Sequence, residues 1–252
     1  MQKRLSFMWL MVCGVLSLLG ETAFPTPAPS RRALVIGNAA YVDSSLSHPI
    51  NDATDLAALL RRLGFDVTLH RDADKPTMEQ AIDLFTQGVP PGSAGLFFFA
   101  GHGVQIDGVH YLVPIGARFS ATSDIKDHAV AAERVLARMD DSGMGVKLLL
   151  LDACRDHPLG RRVKGAFSGG LGVMEAPPGA LIAYATSPGK TARDGIGRNS
   201  LFTSSMLLEL VVARRDMAVA LTAVQAGVQK LTRGEQTPGV ASALTGDFSV
   251  GH

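Results

Sequence analysis

Four short apolar runs, each closed by a turn-forming or polar residue, constrain the fold of this chain more than any other feature. They cover residues 33–36 before Gly37-Asn38, 95–99 before Gly101, 146–151 before Asp152, and 180–185 before Thr186. Runs this short and bulky read as β-strands. Strands that are apolar along their length, instead of at alternate positions, are buried on both faces. That predicts a mostly parallel sheet covered by helices. A fifth run, 65–69, is weaker and alternates.

The helices lie between the strands. Residues 50–63 set Ala53, Leu56, Ala57, Leu60 and Leu63 on one stripe, with Gly64 as a stop signal. Helical patterns also cover 77–87 after Pro76, 129–139, 201–212 and 217–231. Strand and helix in alternation is α/β order. Residues 105–113, with Asp107-Gly108 at the centre, predict a small hairpin. The stretch 155–178 is irregular and rich in glycine and proline. Loops of that length in a compact domain are mostly functional or disordered.

The first residues read as an address. Lys3 and Arg4 precede an apolar run over 5–20, broken by Ser6 and Ser17, and a Pro-rich segment follows at 25–29. These are the parts of an export signal, and the run is short for a spanning helix of about 20 residues. A cut after Ala23 would leave Glu21 in a poor position, so an uncleaved membrane anchor is the alternative. The expectation is an exported protein, periplasmic or extracellular, that touches a membrane only if this segment is uncleaved. The predicted organisation is a signal or anchor at 1–24, a linker at 25–31 and one domain at 32–250.

Charge and cysteine content narrow the function. Beyond residue 30 the acidic and basic groups are equal in number, which gives no footprint for a nucleic-acid partner. Of the two cysteines, Cys13 lies in the apolar N-terminal run and Cys154 is alone in the body. An internal disulfide and a multi-cysteine zinc site are therefore excluded there. Neither a G-x-G-x-x-G fingerprint nor a phosphate-binding G-x-x-x-x-G-K-[ST] loop is present.

In an open parallel sheet, ligands bind beyond the carboxyl ends of the strands. The strand-ending residues here are Gly101-His102-Gly103, Asp152-Ala153-Cys154-Arg155 and Thr186-Ser187-Pro188. Pattern alone thus sets a histidine and the only body cysteine on one edge. A cysteine nucleophile attacks as thiolate, needs a histidine to move a proton, and needs N–H donors for the oxyanion. Gly103 and Cys154 could supply two such donors. Each residue also has an ordinary reading: Cys154 as a small buried hydrophobe, His102 as a turn residue. His157 is a rival base, set beside Pro158 at the mouth of the irregular stretch.

Taken together, these residues resemble the caspase–metacaspase family of cysteine peptidases, in particular its bacterial metacaspase-like branch. The resemblance rests on Arg32-Ala-Leu-Val-Ile-Gly-Asn38, Asn51-Asp-Ala53, Phe97-Phe-Phe-Ala-Gly-His-Gly-Val104, Tyr111-Leu-Val-Pro114, Leu148-Leu-Leu-Leu-Asp-Ala-Cys-Arg155 and Tyr184-Ala-Thr-Ser-Pro188. The histidine and cysteine stand 52 positions apart, close to the family spacing. The resemblance implies a caspase-type three-layer α/β sandwich: a mostly parallel six-stranded sheet with helices on both faces. It implies a catalytic dyad of His102 and Cys154, an oxyanion hole from the Gly103 and Cys154 N–H groups, and no third orienting side chain.

Substrate choice follows from a departure. Animal caspases carry glutamine two residues before the cysteine, and arginines that hold a substrate aspartate. This chain has Asp152 in the first place and Thr186-Ser187-Pro188 where the pocket would supply an arginine. Metacaspases have aspartates matching Asp52 and Asp152 and cut after arginine or lysine. The expected partners are therefore proteins or peptides with a basic P1 residue, bound by Asp52, Asp152 and Ser187. Asp52 has an ordinary reading as a first-turn helix carboxylate. Arg161, Arg162 and Lys164 make the 155–178 stretch a candidate for self-processing. No cofactor is assigned. Calcium stays open because some metacaspases need it, although Asp124, Asp127, Asp140 and Asp141 are too scattered to argue a site. The alternative function is a catalytically silent caspase-like binding module.

Overall fold

Side chains alternate across a strand, so a strand apolar at every position must feed two cores. The computed structural model describes residues 29–153, 172, 174–187, 192, 197–212 and 216–251, and it has that arrangement. The central strands are β1 (Arg31–Gly37), β3 (Ala94–Ala100), β7 (Val146–Asp152) and β8 (Ala180–Tyr184). Leu34, Ile36, Phe97, Phe99, Leu149 and Leu151 join one core, with helices α2 (Lys75–Thr86) and α4 (Ala132–Asp141). Their neighbours Ala33, Val35, Leu96, Phe98, Leu148 and Leu150 join the other. There α1 (Pro49–Arg62), α5 (Leu201–Val212) and α6 (Met217–Leu231) cover the sheet.

The result is the three-layer α/β sandwich that the resemblance implies. Its six strands run in the order β2-β1-β3-β7-β8-β9, where β2 is Asp66–Arg71 and β9 is Gly239–Ser242. All neighbours are parallel except β8 and β9. The edge strand β9 carries Gly-Val-Ala-Ser and is nowhere fully buried, so it leaves no apolar run to read.

A second, small sheet sits at the carboxyl end of β3. It is formed by β4 (Gly103–Ile106), β5 (Val109–Leu112) and β6 (Val130–Ala131), all antiparallel. Asp107 and Gly108 both have positive φ, 51° and 82°, which gives the hairpin a turn whose twist matches its strands. The sequence predicts one helix over 129–139. The structure instead has α3 (Thr122–His128), the short strand β6 and then α4. Ile125 and Ala129 pack with Val104, Ile106 and Tyr111 in a separate apolar cluster, and this tertiary contact outweighs local helix continuity.

The N-terminal segment and most of the 155–178 stretch lie outside the described residues. Among the described residues no helix is long and apolar enough to cross a membrane.

Candidate active site

The carboxyl ends of β3 and β7 meet in register, with Ala100 opposite Asp152. Beyond Ala100 the two chains stay in contact. The Gly101 N–H donates to the Asp152 carbonyl at 3.2 Å. At Gly103 a Cβ would lie 2.7 Å from the Ala153 carbonyl oxygen, a clash with rigid backbone. Gly103 is thus required by close approach to the residue before Cys154. His102 lies between these two contacts and is 3% exposed.

The His102 ring has a defined partner. Its Nε2 is 2.7 Å from the Ser44 carbonyl oxygen and 3.0 Å from Ser44 Oγ. A carbonyl only accepts, so Nε2 carries a proton and donates it. In the neutral ring Nδ1 then holds the lone pair and is the basic nitrogen. The His102 main chain is fixed as well. Its N–H donates to Tyr41 Oη at 3.1 Å, and its carbonyl accepts from the Val113 N–H at 3.0 Å. Ser44 and Tyr41 went unrecognised in the sequence. The only signal for them is that the 38–48 loop leaves β1 at the same sheet edge, and nothing there separates Ser44 from its neighbour Ser45.

Cys154 lies outside the described residues, as do His157, Arg161, Arg162 and Lys164. The chain leading to Cys154 is described through Ala153, which is buried in the core beneath α2 and α4.

The two expected carboxylates come together through one serine. Asp52 lies in the first turn of α1 and Asp152 ends β7; both are 0% exposed. The Ser200 N–H donates to Asp52 Oδ1 at 2.9 Å. The Ser200 hydroxyl donates to Asp152 Oδ2, and Thr203 Oγ1 donates to the same oxygen at 2.9 Å. The Thr203 N–H closes the set on Ser200 Oγ at 3.0 Å. Burying a carboxylate is costly unless such donors surround it. Ser200 and Thr203 were not expected, since both belong to the start of α5, far along the chain. Ser187 is differently engaged: its hydroxyl donates to the Thr237 carbonyl at 2.8 Å. It anchors the end of β8 to the turn before β9.

Another histidine is also built in. His110 on β5 has Nδ1 2.6 Å from Glu133 Oε1, and Nε2 3.0 Å from the Gly172 carbonyl. It ties the small sheet to α4 and to the chain at Gly172. Among the described residues no group of three or more histidine, cysteine or acidic side chains is arranged to hold a metal ion. Asp124 Oδ2 accepts the N–H groups of Ser120 and Ala121 at the start of α3, and Asp140 pairs with Lys147.

Comparison with known proteins agrees with this architecture. A peptidase family model described as "Caspase domain" matches residues 30–249. The chain is 27% identical over 228 residues to the human mucosa-associated lymphoid tissue lymphoma translocation protein 1, and equally to its mouse homologue. The match covers 86% of this chain and 26% of each relative, so the chain spans about a quarter of their length.

Proposed function

This chain belongs to the caspase domain family, and on that footing we propose that it is a cysteine endopeptidase cutting peptide bonds after arginine or lysine. The observation that carries the reading is the pairing of Ala100 with Asp152, with Gly103 against Ala153. These contacts bring His102 beside the residues that lead into Cys154. In this reading Cys154 Sγ attacks the carbonyl carbon of the scissile bond. His102 takes the thiol proton at Nδ1 and delivers it to the amine as the C–N bond breaks. The N–H groups of Gly103 and Cys154 donate to the oxyanion. Water then attacks the thioester carbonyl carbon and gives a proton to His102; the C–S bond breaks, the acid product leaves, and His102 returns the proton to Cys154 Sγ.

The P1 preference rests on the two buried carboxylates. A guanidinium presents its donors as a planar fork, which suits carboxylates on separate elements. Asp52 and Asp152 have that relation, and they would repel an acidic P1 side chain. Self-cleavage near Arg161–Lys164 belongs to the same proposal, because those residues offer the predicted P1 chemistry.

The test is hydrolysis of matched fluorogenic peptides ending in Arg, Lys or Asp by the full chain, with and without calcium, beside Cys154→Ala. Cleavage after Arg or Lys is expected, reduced roughly 10³-fold or more in the variant. Any processing of the chain at 161–164 should vanish with it. Cleavage after Asp would keep the dyad and overturn the acidic pocket. No cleavage under any condition would sink the peptidase reading in favour of a silent binding module.

A further inference from the structure

One loop grips His102 from two sides. Ser44 takes the ring nitrogen Nε2, and Tyr41, three residues earlier, takes the main chain and the ring face. Tyr41 Oη accepts the His102 N–H at 3.1 Å and donates to the Val113 carbonyl at 2.9 Å. Val113 in turn donates its N–H to the His102 carbonyl. The two ring centroids lie 4.4 Å apart at an interplanar angle of 54°. The approach depends on Gly101, where a Cβ would sit 2.7 Å from Tyr41 Oη.

The loop itself is fixed. The N–H groups of Ala39 and Ala40 donate to Asp72 Oδ1 at 2.8 and 2.9 Å. Buried Asn38 donates from Nδ2 to the carbonyls of Ala73 and Val113. Tyr41 is therefore held by a rigid support and does not merely fill space.

The tilted Tyr41 ring packs against the imidazole and opposes its rotation about the Nε2 contact to Ser44, and the Tyr41 hydroxyl fixes the backbone from which the imidazole projects. We propose that Tyr41 is a positioning residue for His102: it holds the imidazole so that Nε2 donates to Ser44 and Nδ1 is presented as the base. The inference rests on the peptidase reading for its consequence in catalysis, but not for the geometry.

The experiment compares Tyr41→Phe, which keeps the ring, with Tyr41→Leu, which keeps neither ring nor hydroxyl. Imidazole ¹⁵N shifts of the full chain, with His102 assigned through His102→Gln, report the tautomer in the neutral ring. The wild-type chain should show His102 with its proton on Nε2, and Tyr41→Leu should show a mixture of tautomers. Misplacement of a reacting group by about 1 Å costs on the order of 10²-fold. The kcat of Tyr41→Leu should therefore fall roughly 10- to 100-fold, with KM within about twofold and a smaller loss in Tyr41→Phe. An unchanged tautomer and an unchanged kcat in Tyr41→Leu would overturn the proposal. If Tyr41→Leu does not fold, loss of kcat at constant KM in near-isosteric Tyr41→Phe decides instead. If the wild-type chain cuts no peptide, the peptidase reading fails on its own, and the tautomer comparison still decides for or against Tyr41.

Discussion

Ser200 donates its backbone N–H to one buried carboxylate and its hydroxyl to another, so a single residue couples Asp52 to Asp152. Replacing it by alanine leaves the bond to Asp52 in place, removes a hydroxyl donor to Asp152 and removes the acceptor of the Thr203 N–H. A buried acceptor losing a donor costs about 1–3 kcal/mol. Ser200→Ala should lower stability by that amount, read from the urea midpoint. It should also raise KM for arginine peptides more than it lowers kcat. A variant with unchanged stability would mean that the Ser200 hydroxyl is not holding Asp152. At this scale the sequence was partly legible. His102, Cys154, Asp52 and Asp152 stand out because strand ends and short motifs mark them. Ser200 and Ser44 do not stand out, because a serine has no local signature and its partners here are 148 and 58 positions away.

Helix α1 shows how one element serves two purposes. Its apolar stripe, Ala53, Leu56, Ala57 and Leu60, enters the core. A polar stripe on positions 48, 51, 52 and 55, spaced as one helix face, grips the chain at 197–200. His48 Nε2 donates to the Gly197 carbonyl, Asn51 Nδ2 to the Arg198 carbonyl, and Asp55 accepts from Arg198 and Asn199. The grip sets the start of α5, and with it Ser200 and Thr203, against β7. The Arg198 guanidinium hydrogen-bonded to Asp55 holds that carboxyl below its ordinary value of 3.8; Asn199 and the Arg198 charge assist, and partial burial opposes. A carboxylate with a depressed folded pKa contributes stability that is fully present above its unfolded pKa and is lost as pH falls through the folded one. The stability difference between the wild-type chain and Asp55→Asn should therefore be constant above about pH 5 and shrink below pH 3.8. Exposed ion pairs are weak, so the difference should be small and should shrink further in high salt. A difference that grows on acidification would contradict the assignment. The apolar stripe and Asp52 were legible in the sequence; the grip of the rest of the polar stripe needs its distant partner to be seen.

Across the whole molecule, the sheet divides two cores that share the same strands, so damage in either should be felt cooperatively. Phe98 faces the α1, α5 and α6 side and is fully buried. Phe98→Ala should cost about 3–5 kcal/mol. Leu208→Ser, at a side chain 63% exposed, should change stability by no more than about 0.5 kcal/mol. Urea unfolding followed by two probes checks both values, and a biphasic transition in Phe98→Ala would contradict a shared core. A long-range contact also ties the segment after β9 to the sheet: Arg31 at the start of β1 donates to the Val250 carbonyl and lies over the Phe248 ring. The sequence by itself determined the buried parallel strands, the helices between them, and the edge at which chemistry-bearing residues emerge. Apolar periodicity and turn residues are local, and they state which way a strand must be covered. Only the tertiary structure decided that β9 completes the sheet, that the predicted helix over 129–139 opens on the short strand β6, and that Ser44 and Tyr41 contact His102 while Ser200 joins Asp52 to Asp152. Each of these depends on contacts between segments far apart in the chain. For such residues the stabilising partner, and not the local propensity, sets the conformation.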